Sequence, residues 1–392
     1  MATLDRWRAF LATPKALTFP RLELLGRDHA PPIVVGAGEV RMVSPNDFAF
    51  TLTGTPADIP YALAEINRQR ENPYDGLARF RLEGVDADGV KWSGGYTVPR
   101  VDAVRPAFTF TGEIESLVTD DQSPTTSQES STELIFLLRI GDPMSLAMAR
   151  FVGSDQGGRE LLNENALNVL GSRIRFTFEA SAGALAITAS HSPNLLPTYT
   201  ENWLGEPLRI MFGQLIYPRL VARNFGNGRA SVWVRRSPSL IPGAHWAALW
   251  AGDELAQDSS DFWSRYAHLL SLIARARGKD GHPNFEPHKI TRLYEECIQA
   301  ARGSRWVWAL TFASSIEGLV KMLIKKKAGP APAEDESTAV QAKAIEALVK
   351  HINLWPGEDR LPGACGGRMA AAYAGEPRAG PQPPPKGRKS RP

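Results

Sequence analysis

SRWVWALTFASSIEGLVKMLIKKK, residues 304–327, decides how the rest of the chain is read. The run is too long for a strand and lacks a strand's alternation. It predicts one long apolar helix with Ser304 as its N-cap. A helix this apolar is expected at the centre of a helical domain. Upstream, Ser260–Ala276 carries Phe262, Tyr266, Leu269, Leu270 and Ile273 at helical spacing. Glu286–Arg302 repeats the pattern, with Pro287 in its first turn and Gly303 as its stop. Downstream, Ala328–Ser337 (AGPAPAEDES) reads as a linker. Thr338–Leu354 then reads as a fourth amphipathic helix, with Ala344, Ile345, Leu348, Val349 and Ile352 on one side, ended by Pro356.

From about residue 18 to 240 the pattern is short and β-like. Phe48–Thr53, Lys91–Val98 (KWSGGYTV), Ala107–Glu115, Glu133–Ile140, Arg173–Glu179, Leu185–Ser190 and Ala230–Arg235 are expected strands, with Pro31–Gly36 and Ala78–Leu82 beside them. Pro60–Arg70 and Gly158–Asn168 read as short helical insertions. Asp120–Thr132 reads as a polar loop with no reason to pack. The expected fold class is α+β and multidomain. A β-sandwich or barrel-like domain over 1–245 precedes an all-α bundle over 250–355 and a disordered tail over 356–392.

Composition bounds the function classes. The formal charge is +3, yet residues 356–392 hold seven Lys/Arg against three acids, so the rest of the chain is near neutral. A neutral body argues against a broad electrostatic footprint for nucleic acid. The tail holds eight Pro and seven Gly in 37 residues, the composition of a low-complexity segment. A genuine disordered basic end and a frameshift or truncation of the helical domain are both open. Two cysteines, Cys297 and Cys365, make no disulfide framework or zinc spacing, which fits a reducing cytoplasm. No signal peptide and no membrane span are read.

Gly36-Ala37-Gly38 after a strand reads as a strand-end turn rather than a dinucleotide loop, because the third glycine and the helix are missing. The histidines (29, 191, 245, 268, 282, 288 and 351) have no companions at ligand spacing, so no metal and no cofactor are expected. KGRKSRP near the end could touch nucleic acid, but such a run is more often a solvated disordered end. Glu201–Pro218 (ENWLGEPLRIMFGQLIYP) is dense in aromatic and large apolar residues. Core or interface packing is its first reading and a ligand groove the second. A carbohydrate site built on two carboxylates has no assignable pair, because the required separation is spatial.

Three segments carry a family resemblance. Lys91–Pro99 (KWSGGYTVP), Trp203–Leu208 with Phe212-Gly213-Gln214, and Thr311–Ile324 (TFASSIEGLVKMLI, with Ser315, Glu317 and Leu319) resemble ApeA-like bacterial antiphage proteins. Members of that group join a β-rich domain to a HEPN helical domain. The resemblance implies a cytoplasmic defence protein whose β domain meets a phage-derived trigger. It also implies a homodimer through the helices and an RNA substrate cut without metal. HEPN nucleases use Arg, a polar residue and then His within four to six positions. His would move the proton and Arg would stabilise the phosphate charge. Nothing fitting occurs after Thr338. Arg277 with His282 matches the spacing, as does Arg275, but both arginines precede the long helix. Glu317 is a candidate accessory residue. The chain is therefore expected to lack the cleaving motif. The alternative is a non-enzymatic ligand-binding or scaffold protein with self-associating helices.

Overall fold

Alternation makes the strands. SRIRFTFE, residues 172–179, buries Ser172, Ile174, Phe176 and Phe178 and turns Arg173, Arg175 and Glu179 to solvent. In the computed structural model, residues 2–26, 31–72, 79–104, 107–138, 144–151, 159–161, 164–238, 259–278, 280–325 and 343 are described. A 3-10 helix, Thr3–Phe10, leads. The strands are β1 (Lys15–Leu25), β2 (Val34–Ser44), β3 (Asp47–Gly54), β4 (Phe80–Val85), β5 (Lys91–Thr97), β6 (Arg100–Val104), β7 (Ala107–Glu113) and β8 (Ser116–Asp121). They continue as β9 (Ser130–Leu137), β10 (Ala149–Phe151), β11 (Arg159–Leu161), β12 (Glu164–Val169), β13 (Ser172–Glu179), β14 (Ala184–Ser190), β15 (Leu220–Phe225) and β16 (Ala230–Arg235). The helices are α1 (Ile59–Glu71), α2 (Met144–Ala147), α3 (Pro197–Phe212), α4 (Ser259–Arg275), α5 (Lys289–Ala300) and α6 (Arg305–Lys325).

The expected β-rich part is present as one continuous antiparallel sheet. Fourteen strands run in the order β12-β13-β14-β9-β15-β16-β8-β5-β4-β1-β2-β3-β7-β6, and β10 and β11 pair apart from it. Contacts divide the chain into two units, Met1–Ser315 and Ile316–Pro392. The first holds the sheet and the helices α1 to α5. The second, in its described residues, continues α6 from Ile316.

Both faces of the central strands are buried. Ile135, Leu220 and Ala222 join a core with Leu4, Trp7 and Phe10 of the 3-10 helix, with Ala62 and Ile66 of α1, and with Leu22, Val40 and Phe50. Their neighbours Leu134, Phe136 and Val221 join a second core with Trp203 and Leu208 of α3 and Phe262 and Tyr266 of α4. Tyr266 donates its hydroxyl to Leu204 O at 2.8 Å, and Trp263 Nε1 donates to Ala147 O at 2.9 Å. Arg219 is fully buried and, among the described residues, has no carboxylate partner. Nε donates to Phe10 O (3.1 Å) and Nη1 to Arg235 O (2.8 Å), over the ring of Phe48. Burial pulls its pKa down to about 10.

Several expectations change. Gly158–Asn168 is no helix among the described residues: β11 and β12 occupy it, and Glu164–Val169 pairs residue for residue with β13. Gly36-Ala37-Gly38 is no turn but the middle of β2. A Cβ on Gly36 would stand 2.0 Å from Thr53 O, and one on Gly38 2.5 Å from Leu22 Cδ2. The glycines serve close strand packing. The polar loop after Asp121 is pinned at both ends, as set out below. The fourth helix (338–354) and the tail (356–392) lie outside the described residues, residue 343 apart.

Candidate functional site

The residues singled out by spacing come first. Arg277 lies two residues beyond α4. Its Nη1 donates to Ala274 O (2.7 Å) and Ala276 O (2.9 Å), closing the helix's own orphan carbonyls. His282 sits exposed in the following turn, its amide donating to Asp280 Oδ1 and its carbonyl accepting from Gly278 N. A cavity of about 190 Å³ is lined by Arg277, Trp203, Glu206, His288 and Arg292, and His282 is not among its walls. Arg275 ends α4. Glu317 belongs to the second unit, exposed on α6 and paired with Lys321 at 2.7 Å.

Glu201–Pro218 resolves as the buried helix α3 and the chain that follows it, so packing is its role. Three of its polar residues form a network with α5. Glu206, 1 % exposed, accepts His288 N (2.9 Å) and Thr291 Oγ1 (2.5 Å), capping α5 from outside. Arg209 Nε lies 2.6 Å from Glu295 Oε1, and its guanidinium stands over the Tyr217 ring. Burial pushes the Glu206 carboxyl above its ordinary value, against the bonds from Thr291 and His288 and the charge of Arg209. On the sheet, Glu201 holds both Arg223 (3.0 Å) and Arg235.

His191 stands between two hydroxyls, Ser130 Oγ 2.7 Å from Nδ1 and Thr132 Oγ1 2.8 Å from Nε2. Burial, and then the charge of Arg223, push its pKa down to about 4. An imidazole that holds a proton so weakly is a poor general base at neutral pH, so the Ser130–His191 contact reads as structural.

The polar face of β13, β14 and β9 carries a groove of about 920 Å³. Two rows cross it. Arg175 faces Thr188, which faces Glu133. Arg173 donates its amide to Ser190 Oγ, and Ser190 faces Ser131. The loop after β8 forms the wall. Asp121 Oδ1 accepts Ser123 N (2.8 Å) and Thr126 Oγ1 (3.0 Å), while Trp7 Nε1 donates to Oδ2. Thr3 Oγ1 accepts Ser127 N and donates to Asn224 Oδ1. Beneath, Glu133 takes Thr3 N and Asn224 Nδ2 on one oxygen and Leu4 N on the other.

Sequence reasoning missed Arg173 and Arg175 as a pair, although their i, i+2 spacing on a strand puts both on one face. It missed Glu133, Asp121 and Glu206 because their partners lie far away along the chain. Among the described residues no His/Cys/Asp/Glu group has the arrangement of a metal site, and no helix is long and apolar enough to cross a membrane. Comparison of the chain with family models, with curated proteins and with solved structures returns no match.

Proposed function

We propose that the protein is a two-part antiphage defence protein. On this reading its β-rich body senses a phage-derived ligand, and its HEPN-like helices bring two copies together. One observation carries it. The run around α6 reads as an interior helix, yet Trp306, Val307 and Leu310, within little more than one turn, are 49 %, 52 % and 70 % exposed. Large apolar side chains left in water mark a surface that another surface covers. A second copy of the same helix gives a closed, self-complementary pair.

RNA is the substrate class that goes with the HEPN resemblance. Arg277 spends its guanidinium on the end of α4, so on this reading the chain does not cut RNA with the Arg277/His282 pair. Sedimentation at micromolar concentration is expected to give a dimer, and Leu310→Glu a monomer with unchanged melting temperature. A wild-type monomer at every concentration sinks the proposal.

The same capping of α4 favours a second reading, a non-enzymatic binding or scaffold protein. Neither reading expects the Arg277/His282 pair to cut RNA, and incubation with single-stranded and structured RNA tests that shared expectation. Metal-independent cleavage abolished by His282→Ala would overturn the non-enzymatic reading.

A further inference from the structure

We infer that the groove over β13, β14 and β9 binds a ligand through its phosphoryl groups. The inference rests on the sensing role proposed for the β-rich body only for its purpose; the chemistry comes from the groove itself.

The lining brings two guanidinium groups together with two carboxylates. Arg173 and Arg175 are exposed on the same face, and neither guanidinium forms an ion pair among the described residues. Of the two acids in the lining, Glu133 is engaged, while Glu129, in the loop after β8, is exposed. Both oxygens of Glu133 are filled by the amides of Thr3 and Leu4 and the amide of Asn224. Glu179, further along β13, pairs with Arg8 at 2.8 Å. Two guanidinium groups without an ion pair among the described residues thus face the groove, with Glu129 as its one exposed acid.

Besides Glu129, Ala2 and Pro124, the remaining lining is hydroxyl and amide, with Thr125, Ser127, Gln128, Thr188 and Ser190 among it. No aromatic ring lines it, so it offers no platform for a stacked base. It offers donors for oxyanions. Guanidinium forks match phosphate oxygens in bidentate geometry, and alternate strand residues set the two forks roughly 6–7 Å apart at their roots. That spacing suits a diphosphate or two successive phosphates of a polynucleotide. The wall is built in advance, because Asp121 and Thr3 hold the loop from both sides, so little ordering is left for the ligand to drive.

The test uses the full chain at low salt, titrated calorimetrically with inorganic diphosphate, ATP and a single-stranded RNA. Saturable binding is expected. Arg175→Ala should weaken it at least about tenfold, the loss of one charge-assisted contact. Arg173→Ala/Arg175→Ala should abolish it, and Arg265→Ala, on a distant helix, should leave it unchanged. The slope of log K against log salt should fall by about one for each groove arginine removed. Diphosphate bound as well as RNA assigns a small phosphorylated ligand; RNA bound without diphosphate assigns a polynucleotide backbone. No binding of any of the three, or equal binding by the double variant, overturns the inference. Both arginines are exposed, so the variants are expected to fold, which their melting curves check. Self-association is read independently by sedimentation, so a dimer with an empty groove and a monomer with a filled one refute different proposals.

Discussion

At the residue scale, His191 shows how burial turns a titratable group into a pH-dependent brace. Its folded pKa is about 4, against about 6.5 in an unfolded chain. Between those values only the unfolded chain takes up a proton, so stability falls as pH drops from 6.5 to 4 and stops falling below that. Discounted for its half-exposed position, the loss is about 1–2 kcal/mol. Urea midpoints at pH 7 and pH 4.5 should therefore differ less in His191→Gln than in the wild type. An unchanged difference would show that another group carries the pH dependence. None of this is legible in the sequence, where His191 is one isolated histidine after a strand. Ser130 and Thr132 reach it only because β9 lies beside β14.

At the scale of elements, α5 is capped twice: His288 Nδ1 accepts Ile290 N from within its own sequence, and a second brace comes from another helix. The Glu206 carboxylate comes from α3 and closes the amide of His288 and the hydroxyl of Thr291. Glu206→Ala is expected to cost about 2–3 kcal/mol, because the buried Thr291 hydroxyl and the half-buried His288 amide lose their acceptor. Glu206→Gln keeps a carbonyl oxygen there and should stay within about 1 kcal/mol of wild type. Thermal melting of the two variants separates capping from charge: equal losses would assign the role to charge. Elements with clean alternation, such as β3, β7, β13 and β16, were readable from the sequence, α4 and α5 from their 3.6-residue period, and α6 from its long apolar run. Others were hidden for specific reasons. β1 contains Pro20, which argues against a central strand, and the ladder with β2 shifts register between Phe19 and Leu22 to admit it. α3 carries Pro207 in its interior and is buried nearly all round, so its period disappears. β12 is polar enough to resemble an exposed helix, and its pairing with β13 overrides that.

Across the whole molecule, the sheet and α4 share one core. Phe176 of β13 lies 4.7 Å from the Trp263 ring and 5.1 Å from Tyr266 of α4, centroid to centroid. Phe176→Ala should cost about 3–5 kcal/mol. It should also lower the tryptophan-fluorescence and β-sheet melting transitions together, since both elements belong to the unit Met1–Ser315. Two separated transitions in the variant would show that α4 folds on its own. The groove was half legible at this scale: the two arginines stand in the sequence, but the bonds that occupy Glu133 beneath them do not. The HEPN-type pair was legible only as a spacing, which the local backbone turned into a helix cap.

The hydrogen bond from Thr3 to Asn224 spans 221 residues, and that separation has a consequence during synthesis. At about 5–20 residues per second, the first turn of the chain is made roughly 10–45 s before its partner strand exists. Throughout that interval Leu4, Trp7 and Phe10 have no completed core to enter, and whatever holds nascent chains in solution must shield them. Residues Thr3–Phe10 are thus made well before the strand that holds them and reach their final places only after it.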